Sequence, residues 1–258
     1  MAIYTVSDGD EFKAANLQNW KGNSEFWLQG QMRHLRDIWQ PIAICMRRLL
    51  HEVDALGSPT ILDTGCGEGW LLRLLDSECL NAEYTGLDFN PRFIEALTSR
   101  EHGGRRVRFV LHDLEVDLPE DLVSRASIVV NIFNLFELPN VEAAMCNFWR
   151  ALRPGGRLLL VSIDPVMQML AVTSTRDEFI DLLRRYEENQ MHIGYDKDID
   201  IGDCRSGRIY KSILYSAAYY VKVAKRSGLK LYDFQEVVKT ANFVPQIYQM
   251  LLFRKDEE

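Results

Sequence analysis

Gly65, Gly67 and Gly69 stand at alternate positions between a short apolar run, Thr60 to Asp63, and a helical pattern, Trp70 to Ser77. Residues without a side chain let a chain turn sharply and let a ligand approach the backbone closely. A glycine turn between a strand and a helix belongs at the carboxyl end of a sheet strand, where open α/β sheets bind their ligands. The spacing here is G-x-G-x-G. A dinucleotide site prefers G-x-G-x-x-G, with a pyrophosphate over the helix N-terminus. Two acids, Asp63 and Glu68, also border the turn and would repel a diphosphate. The ligand implied is a nucleoside with a positively charged amino-acid tail.

The chain around the turn alternates between strand and helix patterns. Strands are expected at 60–63, 84–88, 107–111, 128–132 and 157–163, and helices at 70–77, 91–100 and 141–152. Pro91 opens a helix at its favoured first turn, and Pro154-Gly155-Gly156 stops another. The run Arg157 to Ile163 is continuous in Leu and Val, as in a strand buried on both faces. Repeated units of this kind imply a parallel, doubly wound sheet. Before it, residues 1–57 read as a helical cap, with apolar residues from Leu35 to Val53 at helical spacing. After it, residues 165–215 lose regularity: Thr175 to Glu188 looks helical, and the Gly- and Asp-rich run 194–207 looks like a loop. Residues 216–258 supply a helix and two strands that could add an antiparallel edge.

Bulk properties exclude several functions. Net charge is −7, with 37 acidic against 30 basic residues. Such a balance is poor for neutralising a phosphate backbone, so no nucleic-acid partner is expected. The five cysteines contain no C-x-x-C pair, so a zinc ribbon, an iron–sulfur cluster and a disulfide framework are not expected. The N-terminus has no basic stretch followed by an apolar run, and no apolar segment reaches the ~20 residues that span a bilayer. A cytoplasmic protein without metal or membrane partner is expected, as a monomer or homodimer.

The segment Asp63-Thr64-Gly65-Cys66-Gly67-Glu68-Gly69 resembles the first motif of class I S-adenosylmethionine-dependent methyltransferases. Asp88 in Gly86-Leu87-Asp88-Phe89, Asp113 in Leu111-His112-Asp113-Leu114, the run from Asn131 to Glu137, and Leu152-Arg153-Pro154-Gly155-Gly156 are similar to later motifs in the same order. The resemblance covers about residues 55–165. It implies a Rossmann-like, mostly parallel seven-stranded sheet with an antiparallel edge, an N-terminal helical extension and a helical lid insert. It also implies S-adenosylmethionine as the methyl donor and S-adenosylhomocysteine as the product.

On that basis the donor site would comprise Asp63, Gly65, Cys66, Gly67, Asp88, Phe89, His112, Asp113, Leu114, Asn131 and Phe133. Asp88 would hold both ribose hydroxyls, since a carboxylate has two oxygens for two adjacent donors; the alternative is a cap for the helix at Pro91. Phe89 stacks on the adenine or packs in the core, and Asp113 faces the adenine amino group or solvent. Asn131 and Phe133 line the site or pack at the strand end. Cys66 reads as a small apolar residue under the turn rather than a nucleophile, and His112 as a packing or hydrogen-bonding group rather than a base.

The acceptor would be a small molecule methylated on oxygen or nitrogen by in-line displacement. Its pocket is expected from residues 130–140, the N-terminal helices and the insert, with Trp27, Asn134, Tyr195, Arg208 and Tyr210 as contacts and His192 as the candidate base. Asn131-Ile132-Phe133-Asn134 lacks the D/N-P-P-Y/F pattern, which argues against amino methylation of nucleic-acid bases or protein glutamine. A peptide acceptor and a non-catalytic cofactor-binding module remain the alternatives.

Overall fold

The computed structural model describes residues 3–28, 36–53, 58–188, 193–201, 204–241 and 244–257. The five parallel strands are β2 (Thr60–Thr64), β3 (Glu83–Asp88), β4 (Val107–Leu111), β5 (Ala126–Ile132) and β6 (Leu152–Ile163). With β9 (Leu229–Ala241) and β10 (Val244–Lys255) they form one seven-stranded sheet in the order β4-β3-β2-β5-β6-β10-β9. β10 runs antiparallel to both β6 and β9, which makes the expected antiparallel edge. The chain steps outward from β2 to β4 and then returns to β5 on the other side of β2. The crevice at that reversal is where the glycine turn lies.

Strand alternation divides the core in two. Leu62, Val129, Leu158 and Leu160 face α6 (Val141–Ala151) and α9 (Ala217–Arg226), while Ile61, Val130, Leu159 and Val161 face α3 (Arg36–Val53) and α4 (Trp70–Ser77). On α3 the helical stripe Ile38, Ile42, Met46, Leu49 and Val53 is at most 1% exposed. Each such burial stabilises the fold by about 1.5–3 kcal/mol, which explains why this helix keeps its place against the sheet. The α5 helix (Pro91–Thr98) begins at Asn90, whose side-chain oxygen accepts from Arg92 N at 3.1 Å. Asn90, not Asp88, is therefore the cap.

Two expectations about the flanking segments need correction. The insert is only half helical. Its helices α7 (Pro165–Val172) and α8 (Arg176–Glu188) are followed by strands β7 (Ile193–Ile201) and β8 (Cys204–Ile213), which pair antiparallel through the run expected to be a loop. The N-terminal extension is not purely helical either, because β1 (Ile3–Thr5) pairs with β7 and completes a small three-stranded sheet. Glycine and aspartate signal turns locally, but antiparallel pairing of β7 with β8 satisfies backbone groups that a loop would leave to water.

Helices α1 (Gly9–Gly22) and α2 (Ser24–Leu28) cross over the carboxyl end of the large sheet. Asp8 caps α1, accepting from the N–H groups of Asp10 and Glu11. Asn16 of α1 then joins β8 as a strand would: its amide donates to Lys211 O at 2.8 Å and accepts from Lys211 N at 2.8 Å. Asn16 is buried, so replacing it leaves two backbone groups of β8 without these partners. Asn16→Leu is expected to lower unfolding free energy by about 2 kcal/mol. Hydrogen exchange should rise in α1 and β8 together, and unchanged protection in either would contradict the coupling.

Candidate methyl-donor site

The turn is held by the neighbouring strand. Gly65 N and Cys66 N both donate to Leu87 O, at 2.8 and 2.9 Å, and Gly69 N donates to Cys66 O at 2.9 Å. Gly65, Gly67 and Gly69 have φ of 77°, 52° and 83°, the left-handed region that side chains disfavour. A Cβ on Gly65 would lie 2.7 Å from the Asn134 side chain, whereas one on Gly67 would project into open space. Thr64 and Asn131 brace the two strand ends, with Thr64 Oγ1 donating to Val130 O at 2.9 Å and Asn131 Nδ2 donating to Thr64 O at 3.0 Å.

Asp88 is the chemical centre of the crevice. Its Oδ2 accepts from Gly67 N at 2.9 Å and its Oδ1 from Asn90 N at 2.8 Å. A carboxylate has about four lone-pair positions, so each oxygen keeps capacity for one more donor. Burial pushes the Asp88 carboxyl up to about 6, against the pull of those backbone N–H groups.

A cavity opens beside it, lined by Gly65, Asp88, Phe89, His112, Asp113, Leu114 and Asn134, with Glu137 on the rim. These residues come from the ends of β2, β3, β4 and β5, so the sheet reversal brings the expected set together. Burial lowers the His112 imidazole, and its Nε2 is buried with no partner. A neutral ring suits a hydrogen-bonding wall better than a cation would.

Sequence reasoning missed the third wall. Lys13 and Asn16 of α1 also line the cavity. Lys13 Nζ lies 2.5 Å from Asp113 Oδ2 and 2.8 Å from Glu115 Oε2. Burial pulls the Lys13 ammonium down, yet these two carboxylates hold it above its ordinary value. Trp20 Nε1 donates to Glu137 Oε2 at 2.6 Å on the other rim. One signal was available: polar residues at 13, 16 and 20 recur at i, i+3 and i+7 and share a helix face. With Asp88, Asp113 and Glu137 against a single lysine, the lining favours a cationic ligand.

Other expected residues lie elsewhere. The Asp63 carboxylate is turned from the crevice and accepts from the Tyr84 hydroxyl at 2.5 Å; burial raises it to about 7. Glu68 is also buried and pairs with Arg73 at 2.7 Å, so it does not guard the turn. Cys66 Sγ fills the space beside Gly86, where a Cβ would come within 2.9 Å of it, and burial pushes its thiol well up. Phe133, in the left-handed region at φ 55°, packs against Tyr248 and Phe136. Trp27 is buried against Phe93 beneath Trp20, because α2 packs on α5, and is not a wall of the cavity. His192 lies outside the described residues. Tyr195, Arg208 and Tyr210 belong to the paired backbone of β7 and β8, and their side chains lie outside the description.

Residues 61–156 match the sequence model of a family described as a methyltransferase domain. That segment is similar in sequence to methyltransferase domains. The matched segment runs from β2 to the turn opening β6, so the domain contains every strand end that borders the cavity. The chain is 34% identical to the phthiotriol/phenolphthiotriol dimycocerosates methyltransferase of Mycobacterium leprae over 110 residues, 43% of this chain and 40% of that protein. It is 27% identical to the non-reducing polyketide synthase pkiA of Emericella nidulans over 146 residues, 53% of this chain and 6% of the synthase. The chain spans less than half the length of the first curated relatives it matches. A solved structure of the 1,6-didemethyltoxoflavin-N1-methyltransferase of Burkholderia thailandensis shares the fold, with a TM-score of 0.60 and 15% identity. The match covers 98% of this chain and 95% of that one. Among the described residues, no helix is long and apolar enough to cross a membrane.

Two substitutions test the geometry. Gly65→Ala must both hold a left-handed φ and displace Asn134, so it should weaken S-adenosylhomocysteine binding by at least ~10-fold while costing the fold only about 1–2 kcal/mol. Calorimetry and denaturation on the same protein separate the two effects. Asp63 has its carboxyl raised from 3.8 to about 7, so its contribution to stability is complete below pH 3.8 and is lost as pH rises through 7. Asp63→Asn should therefore flatten the fall in melting temperature between pH 5 and 8; an unchanged slope would show that Asp63 is not the titrating group.

Proposed function

We propose that the chain transfers the methyl group of S-adenosylmethionine to an oxygen or nitrogen of a small molecule, by in-line displacement and in specialised metabolism. The observation that carries the donor half is Asp88, a buried carboxylate with spare acceptor capacity beside an open glycine backbone and an acid-rich cavity. Asp88 would receive both ribose hydroxyls. Phe89 and Leu114 would flank the adenine, with Asp113 and His112 at its polar edge. Gly65 and Gly67 would let the amino-acid tail lie against the backbone, and Asn134 would stand beside it. Asp113 meets such a ligand with Lys13 already bound to it, so the α1 helix and the adenine edge would share one carboxylate.

When bound, S-adenosylmethionine supplies a methyl group already activated on a positive sulfur. The protein has then to align the acceptor and exclude water, and alignment alone can contribute about 7–11 kcal/mol. Helix α1 closes one side of the cavity and the insert, residues 165–215, would close the acceptor side as a lid. The named relatives are methyltransferases of lipid and toxoflavin precursors and a polyketide synthase, and they support a small-molecule acceptor rather than a peptide.

Asp88→Ala should reduce affinity for S-adenosylmethionine by at least ~100-fold, since two hydrogen bonds to a charged group are lost. The wild-type affinity should also fall as pH drops below about 6, where Asp88 takes up a proton. Calorimetric affinity that survives Asp88→Ala would overturn the assignment.

A further inference from the structure

On the face of the large sheet that meets α6 and α9, one buried residue on each of four adjacent strands is polar. They are Thr64 of β2, Asn131 of β5, Ser162 of β6 and Gln249 of β10, each no more than 5% exposed. Their face follows from strand alternation: each lies two residues from Leu62, Val129, Leu160 or Leu251 in that core. Thr64 pairs in register with Asn131, and Gln249 with Ser162, and the second pair is stepped two residues along the strands from the first, because Asn131 pairs with Leu160. With strands about 4.8 Å apart, the row runs about 14 Å from the glycine turn to the insert. A row of buried polar groups across a sheet is costly unless each group is satisfied.

Several are not. Asn131 Oδ1 and Gln249 Oε1 are buried acceptors without a partner in the protein. Gln249 has its orientation set by Asp164, since its Nε2 donates to Asp164 Oδ2 at 2.9 Å. Asp164 Oδ1 caps α7, accepting from Val166 N and Met167 N. One turn into α7, which packs on β10, Gln168 is 6% exposed and its Nε2 is a buried donor without a partner. Tyr186 of α8 lies close enough for the Asp164 charge to add to the effect of burial on its phenol. The insert thus brings a free donor to the same end of the row as a free acceptor.

We propose that this row is the acceptor-recognition site and that its ligand is a neutral molecule presenting both a hydroxyl and a carbonyl. The carbonyl accepts from Gln168 Nε2, and the hydroxyl donates to Gln249 Oε1 or, nearer the donor cavity, to Asn131 Oδ1. An acid is disfavoured by charge: the four residues of the row carry none, and the side chain beside Gln249 is the acid Asp164. A carboxylate there would be desolvated beside another carboxylate. The proposal rests on the methyltransferase reading, because it gives the row its distance from the glycine turn, but it makes its own demand on the ligand.

The test uses two probes of one shape, 2,4-dihydroxyacetophenone and 2,4-dihydroxybenzoate, titrated into the full chain saturated with S-adenosylhomocysteine. The neutral ketone should bind at least ~10-fold more tightly than the benzoate. Gln168→Met, close in volume, should weaken the ketone about fivefold and leave the benzoate and S-adenosylhomocysteine affinities unchanged. Gln249→Glu, which adds a second negative charge, should weaken S-adenosylhomocysteine little and both probes strongly; it serves as the check if Gln168→Met unfolds. Equal binding of the two probes, binding of neither, or indifference of the ketone to both substitutions would overturn the proposal and assign the row to internal water. Failure of S-adenosylhomocysteine itself to bind would instead overturn the donor site.

Discussion

One carbonyl oxygen organises the site. Leu87 O, at the end of β3, accepts from both Gly65 N and Cys66 N and so fixes the path of the glycine turn against the neighbouring strand. The next residue is Asp88, and its carboxylate then meets Gly67 N at 2.9 Å. Turn and acid are therefore set by the same strand pair, and neither can move without the other. This explains why three glycines are tolerated in one turn: the conformational freedom that glycine brings is removed by hydrogen bonds from outside the turn. The core alternation of β2 and β5 holds the strand ends, and Asn131 with Thr64 locks them where the chain reverses direction.

The third wall comes from the N-terminus and ties regions that the sheet alone leaves separate. Along α1, Lys13 reaches the loop after β4, Trp20 reaches Glu137 after β5, and Asn16 reaches the backbone of β8. The Lys13 ion pairs are partly exposed, so each is worth little by itself. The Asn16 pair is buried and substitutes for strand pairing, so it sets the position of the helix. The donor cavity and the insert thus share a wall, and displacement of α1 would open both.

Most of the large sheet was legible because its signals are local. Apolar runs of four to seven residues bounded by turn residues gave β2, β3 and β4 close to their observed limits, whereas β6 begins at Leu152, before the expected start at Arg157, and takes in Pro154-Gly155-Gly156. The glycine spacing and Asp88 at the next strand end pointed to the crevice where the sheet reverses, since both depend on neighbouring strands that any doubly wound sheet brings together. The hairpin β7–β8 was not legible, because its Gly- and Asp-rich sequence has turn chemistry, and β1, which pairs with the start of β7, is distant in sequence. Lys13 and Asn16 were equally hidden. An amphipathic helix shows its polar face in sequence, but nothing local says that the face meets a cavity and a strand instead of water.

Asp63 and Asp88 show where sequence resemblance stops and environment decides. Both end neighbouring parallel strands, both are almost fully buried, and both are raised by that burial. Their partners differ. Asp63 meets a phenol that donates to it from within the core, so its hydrogen bonding is internal and its proton can be retained near neutrality. Asp88 meets two backbone N–H groups that favour the charged form, and its remaining lone pairs face the cavity. Burial raises both carboxyls, hydrogen bonds from the Tyr84 hydroxyl and from backbone N–H groups pull each back, and the charge of Asp88 adds to the rise at Asp63. A site for a diol would need a carboxylate at the cavity, and β3 places Asp88 there while Asn90 caps α5. With the capping done by its neighbour, Asp88 is left to receive a ligand.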